Sequence, residues 1–120
     1  MFKIANSLQL KFVKTVKPLT EERQSMSCPF YGQIAQIAIS CPPGPHHTVE
    51  LRVLRGGDPI FPTDGGYATF DNASFASFPL SEDINRSDII TVEWINHGEF
   101  EHTISVFVSI IETKSREAKL

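Results

Sequence analysis

The sequence predicts one all-β domain, a single antiparallel β-sandwich of jelly-roll-like type, and three observations carry that expectation. Apolar and polar residues alternate with period 2 through most of the chain, as in half-buried strands. Eight prolines and seven glycines in 120 residues cut these runs into short pieces. No stretch shows the 3.6-residue apolar repeat of an amphipathic helix. A chain this long supports one core, burying roughly two-thirds of the surface its unfolded form exposes.

The elements follow in order. Phe2, Ile4, Leu8, Leu10, Phe12 and Val16 occupy even positions, with Lys3, Gln9 and Lys11 between several of them. This predicts a strand from about Leu8 to Val16, ended by Pro18. Thr20-Glu21-Glu22-Arg23 supports at most a short helical turn before Pro29, so residues 18–30 read as an arm or long connection. From Gly32, Ala35, Ile37, Ile39 and Cys41 fall on one face and Gln36 and Ser40 on the other, up to the rigid Pro42-Pro43-Gly44-Pro45. Val49, Leu51 and Val53 then alternate with Glu50 and Arg52, ending at Gly56-Gly57-Asp58-Pro59. Ile60 to Gly66 reads as a loop whose glycines permit positive φ, and Tyr67 to Phe70 as a short strand. Phe75, Phe78, Leu80 and Ile84 read as core anchors on an irregular stretch.

The last third is the most regular. Ile90, Val92 and Trp94 alternate with Ile89, Thr91, Glu93 and Ile95, and Asn96-His97-Gly98 opens a hairpin loop of about five residues. The final strand carries Ile104, Val106, Val108 and Ile110 on one face and Thr103, Ser105, Phe107, Ser109 and Ile111 on the other. It is partly apolar on both sides, which predicts central placement or an interface. Phe107, Ile111, Thr103 and Ser105 are therefore the self-association candidates, in a dimer or trimer. Residues 112–120 read as a charged tail. Ala118-Lys119-Leu120 is similar to a peroxisomal address, with a solvated tail the expected role.

Composition narrows the function classes. The apolar and charged fractions, 41% and 21%, are ordinary for a globular chain. A net charge of −3 carries no basic excess, so nucleic acid is not an expected partner. No apolar run approaches the roughly 20 residues that span a bilayer, and Met1 to Asn6 lack the apolar core of a secretory signal. Two cysteines, Cys28 and Cys41, are too few for a disulfide framework and are expected as structural thiols.

Motifs for chemistry are sparse. His46, His47, His97 and His102, with Glu50, Glu99 and Glu101, are the one cluster in sequence suited to metal or acid–base work. A cupin sets two histidines one residue apart so that both face its barrel, whereas His46 and His47 are adjacent and point to opposite faces of a strand. No metal or cofactor is expected. Nucleophile-elbow, phosphate-loop and dinucleotide motifs are absent, and neither Asp83 with Asp88 nor Glu99 with Glu101 makes a constellation, so no enzymatic activity is expected. Trp94 admits two readings, a core residue or an exposed stacking platform. Phe61 and Tyr67, flanking Asp64-Gly65-Gly66, and the Pro43-Gly44 turn are the partner-binding candidates, because recognition concentrates on loops.

The stretch from Ile37 to Ile111 resembles small virion proteins encoded in phage and prophage genomes. The likeness rests on Ile39-Ser40-Cys41-Pro42-Pro43-Gly44, Val49 to Leu54, Ile60-Phe61-Pro62-Thr63, Trp94-Ile95-Asn96 and His102-Thr103-Ile104. It implies a capsid cement or decoration protein, assembled in the host cytoplasm, that sits on the capsid surface and clamps the major capsid protein through its body and its flanks at 1–30 and 112–120. The alternative from another class is a carbohydrate- or receptor-binding sandwich with Phe61, Tyr67 and Trp94 as platforms and Asp58, Asp64 and Asn72 as polar partners.

Overall fold

The structure, a computed structural model, describes residues 6–44, 48–70 and 74–113. Among them are nine strands and no helix: β1 (Ser7–Val16), β2 (Glu21–Ser27), β3 (Gly32–Cys41), β4 (Val49–Arg55), β5 (Asp58–Phe61), β6 (Ala68–Thr69), β7 (Ser74–Ile84), β8 (Ile89–Asn96) and β9 (His102–Glu112). One antiparallel sheet runs β1-β9-β3-β7, and a second runs β2-β8-β4-β5 with β6 also paired to β4. The pairings β1–β9, β2–β8, β3–β7 and β4–β5 are those of one long hairpin folded at its middle. Rolling that hairpin up sets β9 beside β3 and β8 beside β4, which is jelly-roll connectivity. The expected β-sandwich is thus the observed fold.

The even-numbered side chains of β1, β8 and β9 meet the odd-numbered side chains of β4 between the sheets. Phe12, Leu51, Trp94, Ile104 and Ile110 are fully buried there. The Trp94 indole N–H donates to the Ile104 carbonyl at 3.0 Å, tying the second sheet to the first across the core. At one end of the body, Gly32 lies against the Ile111 backbone with no room for a Cβ, so a side chain here would push β3 off β9.

Four expectations change. The loop expected from Ile60 begins only after Phe61, since Asp58 to Phe61 form β5, paired with β4. Residues 18–30 are not an arm, since Glu21 to Ser27 form β2, paired residue for residue with β8. Its inward positions Glu22 and Gln24 are polar, which hid the period from a hydrophobicity reading. They sit at the rim where the chain crosses from β1 to β2 through a turn closed by the Thr20 N–H and hydroxyl, both donating to the Lys17 carbonyl. There the Gln24 side-chain oxygen accepts from the Val13 backbone N–H at 2.9 Å, satisfying a donor on the edge of β1. Met26 and Phe30 pack on the core.

The irregular stretch at 75–84 belongs to strand β7, whose register against β3 shifts between Glu82 and Pro79, and Phe75 is not a core anchor. It points outward and is 69% exposed, because the odd positions of β7 face away from the core. Ala35 does not share the face of Ile37, since it is the extra residue of a bulge between Ile34 and Gln36 that restores Ile34 to the core. The last strand, β9, lies centrally between β1 and β3, as its two-sided apolar pattern predicts.

Candidate functional site

The two seams of the sandwich differ. On one side the chain itself crosses from β1 to β2. On the other, edge strand β7 faces β5 and β6 across an open groove of about 510 Å3. Phe61, Pro62, Ala68, Phe70, Phe78, Pro79 and Leu80 line it, with Thr63 and Thr69 as its polar members and no charged side chain. The Phe61 and Phe78 rings stand 5.0 Å apart at 48°, and Phe70 stands 6.3 Å from Phe78, tilted geometries that aromatic pairs favour.

Local chemistry explains this shape. After β5 the Gly65 N–H bonds back to the Pro62 carbonyl at 3.1 Å with Gly65 at φ 82°, and Asp64 Oδ1 accepts the Gly66 N–H at 2.8 Å. Chain reversal there returns β6 to β4 and leaves Phe70 at the groove wall. Pro59 in β5 and Pro79 in β7 lack an N–H, which discourages another strand from pairing along either edge.

Several charged groups pair with one another away from the groove. On the outer face of the second sheet, Glu93 is almost fully buried between Arg23 and Arg52, with Arg52 Nε donating at 2.6 Å. The hydrogen bond to Glu93 raises the Arg52 pKa above its ordinary value. Tyr67 stacks on the Arg52 guanidinium, 4.5 Å from ring centroid to Cζ, and these groups enclose a notch of about 100 Å3. Arg55 bridges Glu82 at 2.8 Å and Asp88 at 3.1 Å. His97 Nε2 contacts Glu50 at 2.7 Å. Among the described residues no group of three or more His, Cys, Asp or Glu is placed to hold a metal ion.

Cys28 and Cys41 are buried thiols rather than a disulfide. Burial, with the Asp88 charge adding and Arg55 opposing, pushes the Cys28 thiol up to about 11. The fold favours the neutral form, so its contribution to stability is complete below about pH 9 and is lost as pH rises from about 9 toward 11. In urea titrations, wild type is expected to lose stability relative to Cys28→Ala across that window. A constant offset between the urea midpoints of the two proteins from pH 8 to 11 would refute the assignment.

The sequence-derived candidates separate in space. Phe61 lies at the base of the groove, 6% exposed, and Tyr67 lies on the second sheet's outer face. Asp64 closes the turn between them. Pro43 and Gly44 are exposed where β3 ends, beside His102. Trp94 is 0% exposed, so the stacking-platform reading is corrected to a core role, and with Phe61 also buried the sugar platform loses two of its three rings. Thr103, Ser105, Phe107 and Ile111 share the first sheet's outer face with Ala38 and Lys11. His46, His47, Asn72 and residues 114–120 lie outside the described residues. The groove walls Phe70, Phe78 and Leu80 were not legible as a site, although a proline inside a strand, as at Pro79, marks an edge.

No protein-family model matches the chain, and no curated protein matches it. Solved structures do. The FlhE crystal structure aligns with TM-score 0.52 and 11% identity over 90% of this chain and 98% of that one. A structure of Bacillus endospore appendages, described as a novel family of disulfide-linked pili, aligns with TM-score 0.50 and 13% identity over 94% and 93% of the two chains. A complex of Aeromonas sobria serine protease with its chaperone ORF2 aligns with TM-score 0.50 and 3% identity, over 94% of this chain and 28% of that one. At these identities the likeness is one of fold.

Proposed function

We propose that the chain is a non-enzymatic structural subunit, a capsid cement or decoration protein that docks on the major capsid protein and stabilises its lattice. The observation that supports this best is the division of the surface: the charged groups described above are paired with one another, while the β5-β6-β7 groove is apolar and uncharged. A catalytic cleft needs polar groups converging on a reacting centre. A docking groove needs apolar walls on a rigid frame, into which a partner inserts an aliphatic or aromatic side chain. The fold itself is compatible with lattice building, as the pilus subunit illustrates, although it does not choose the role. With residues 21–27 built into the second sheet, attachment falls to the body and its groove.

The groove is tested by placing charge at its rim. Thr63→Glu and Thr63→Asp, at an exposed position of the loop after β5, should each change stability by no more than about 0.5 kcal/mol, as surface substitutions do. Each should reduce co-sedimentation with assembled particles at least tenfold, because docking would bury an unpaired carboxylate. Wild-type co-sedimentation by both folded variants would remove the groove from the docking surface.

A further inference from the structure

We propose that the outer face of the β1-β9-β3-β7 sheet is the surface through which two copies of this chain associate, sheet against sheet about a two-fold axis. The two outer faces of the sandwich differ in charge. On the second sheet Glu21, Arg23, Glu50, Arg52 and Glu93 point outward. On the four strands of the first, Lys11 and Asp83 are the charged side chains that do so among the described residues. Depletion of charge together with exposed aromatic and aliphatic groups marks the centre of protein interfaces. Phe75, 69% exposed, stands near one end of edge strand β7, and Ile111, 46% exposed, stands near one end of β9, an interior strand that also carries Phe107.

Several polar residues of this face are already partnered with one another. Thr15 and Thr103 share a hydroxyl hydrogen bond of 2.7 Å, the Gln33 amide donates to the Ser81 hydroxyl at 3.1 Å, and the Gln9 amide donates to Ser109 at 3.4 Å. Covering them leaves these bonds intact, so the desolvation penalty of unpaired groups is largely avoided. The Lys11 ammonium lies over the Phe107 ring, 5.9 Å from its centroid.

Area and charge select the occupant. Four strands spaced by about 4.8 Å, each with about ten residues rising 3.3 Å, make a face of roughly 19 by 33 Å, or about 600 Å2. That matches the lower end of specific interfaces, about 600 Å2 per partner. A face with so few charges can oppose a copy of itself without like-charge repulsion and without desolvating many ionised groups. Two such sheets pack about 10 Å apart with strands about 30° off alignment. In an isologous contact every substitution counts twice.

This inference stands apart from the groove, which lies on the seam between the sheets, so either can fail alone. Sedimentation velocity on the full chain from about 1 to 300 μM should show a monomer–dimer equilibrium with Kd in the micromolar range. Ser105→Arg, which sets two guanidinium groups into the interface, should raise Kd at least tenfold with an unchanged melting temperature. Ser25→Arg, on the second sheet's outer face, should leave Kd unchanged. A wild-type monomer across the whole range, a dimer indifferent to Ser105→Arg, or equal sensitivity to Ser25→Arg would each overturn the proposal.

Discussion

Trp94→Ala is expected to destabilise the fold by about 3–5 kcal/mol, lowering the melting temperature by roughly 10–20 °C. Trp94 belongs to β8, which lies between β2 and β4 in the second sheet, and it is the largest of the fully buried side chains. Truncation opens a cavity where neither sheet can collapse, because β8 is held on both sides by backbone pairing. It also removes the indole donor to the Ile104 carbonyl. Trp94→Phe separates the two effects: it keeps most of the ring and loses the bond, so it should cost about 1–2 kcal/mol. Calorimetry on the three proteins checks the ordering. Alanine and phenylalanine variants of equal, near-wild-type stability would show that Trp94 is not the core plug described.

Asn96→Ala is expected to cost about 3 kcal/mol or more although it removes only a small polar group. Asn96 is 1% exposed at the end of β8. Its amide donates to the Val16 carbonyl at 3.0 Å and to the Phe100 carbonyl at 2.8 Å, while its side-chain oxygen accepts the Gly98 N–H at 2.8 Å. One side chain thus joins the end of β1 to the loop between β8 and β9. Alanine leaves all three backbone groups without this partner. Asn96→Asp has nearly the same shape but cannot donate when ionised, so it should be at least as damaging at pH 7 and partly recover as pH falls toward the carboxylate range. Urea unfolding at pH 4 and 7 gives the comparison, and an aspartate variant as stable as wild type at pH 7 would contradict the bonding assigned to Asn96.

These residues also show what was legible in the sequence. Strands β1, β3, β4, β8 and β9 were visible because each sets apolar side chains against the opposite sheet on alternate positions. Strand β2 was not, because its inward residues lie at a rim where Gln24 bonds a strand edge instead of filling the core. In β7, Phe75 misled for a related reason: aromatic character does not say which side of a strand is covered, and only the pairing with β3 does. Asn96 read as a turn former, and its buried role depends on Val16, which is distant in the chain and brought close by the β1–β2 crossover. The groove was least legible of all. It is made by β5, β6 and β7 across a seam between two sheets, so no local spacing announces it.

The docking claim is tested most directly by imaging particles purified from cells that make the chain. Electron cryomicroscopy should show the sandwich at junctions between major capsid subunits, with the Phe61-Phe70-Phe78 groove turned toward the lattice and an apolar side chain of the capsid protein inserted in it. Particles whose lattice is complete without the sandwich, with the chain recovered in the particle-free fraction, would contradict it.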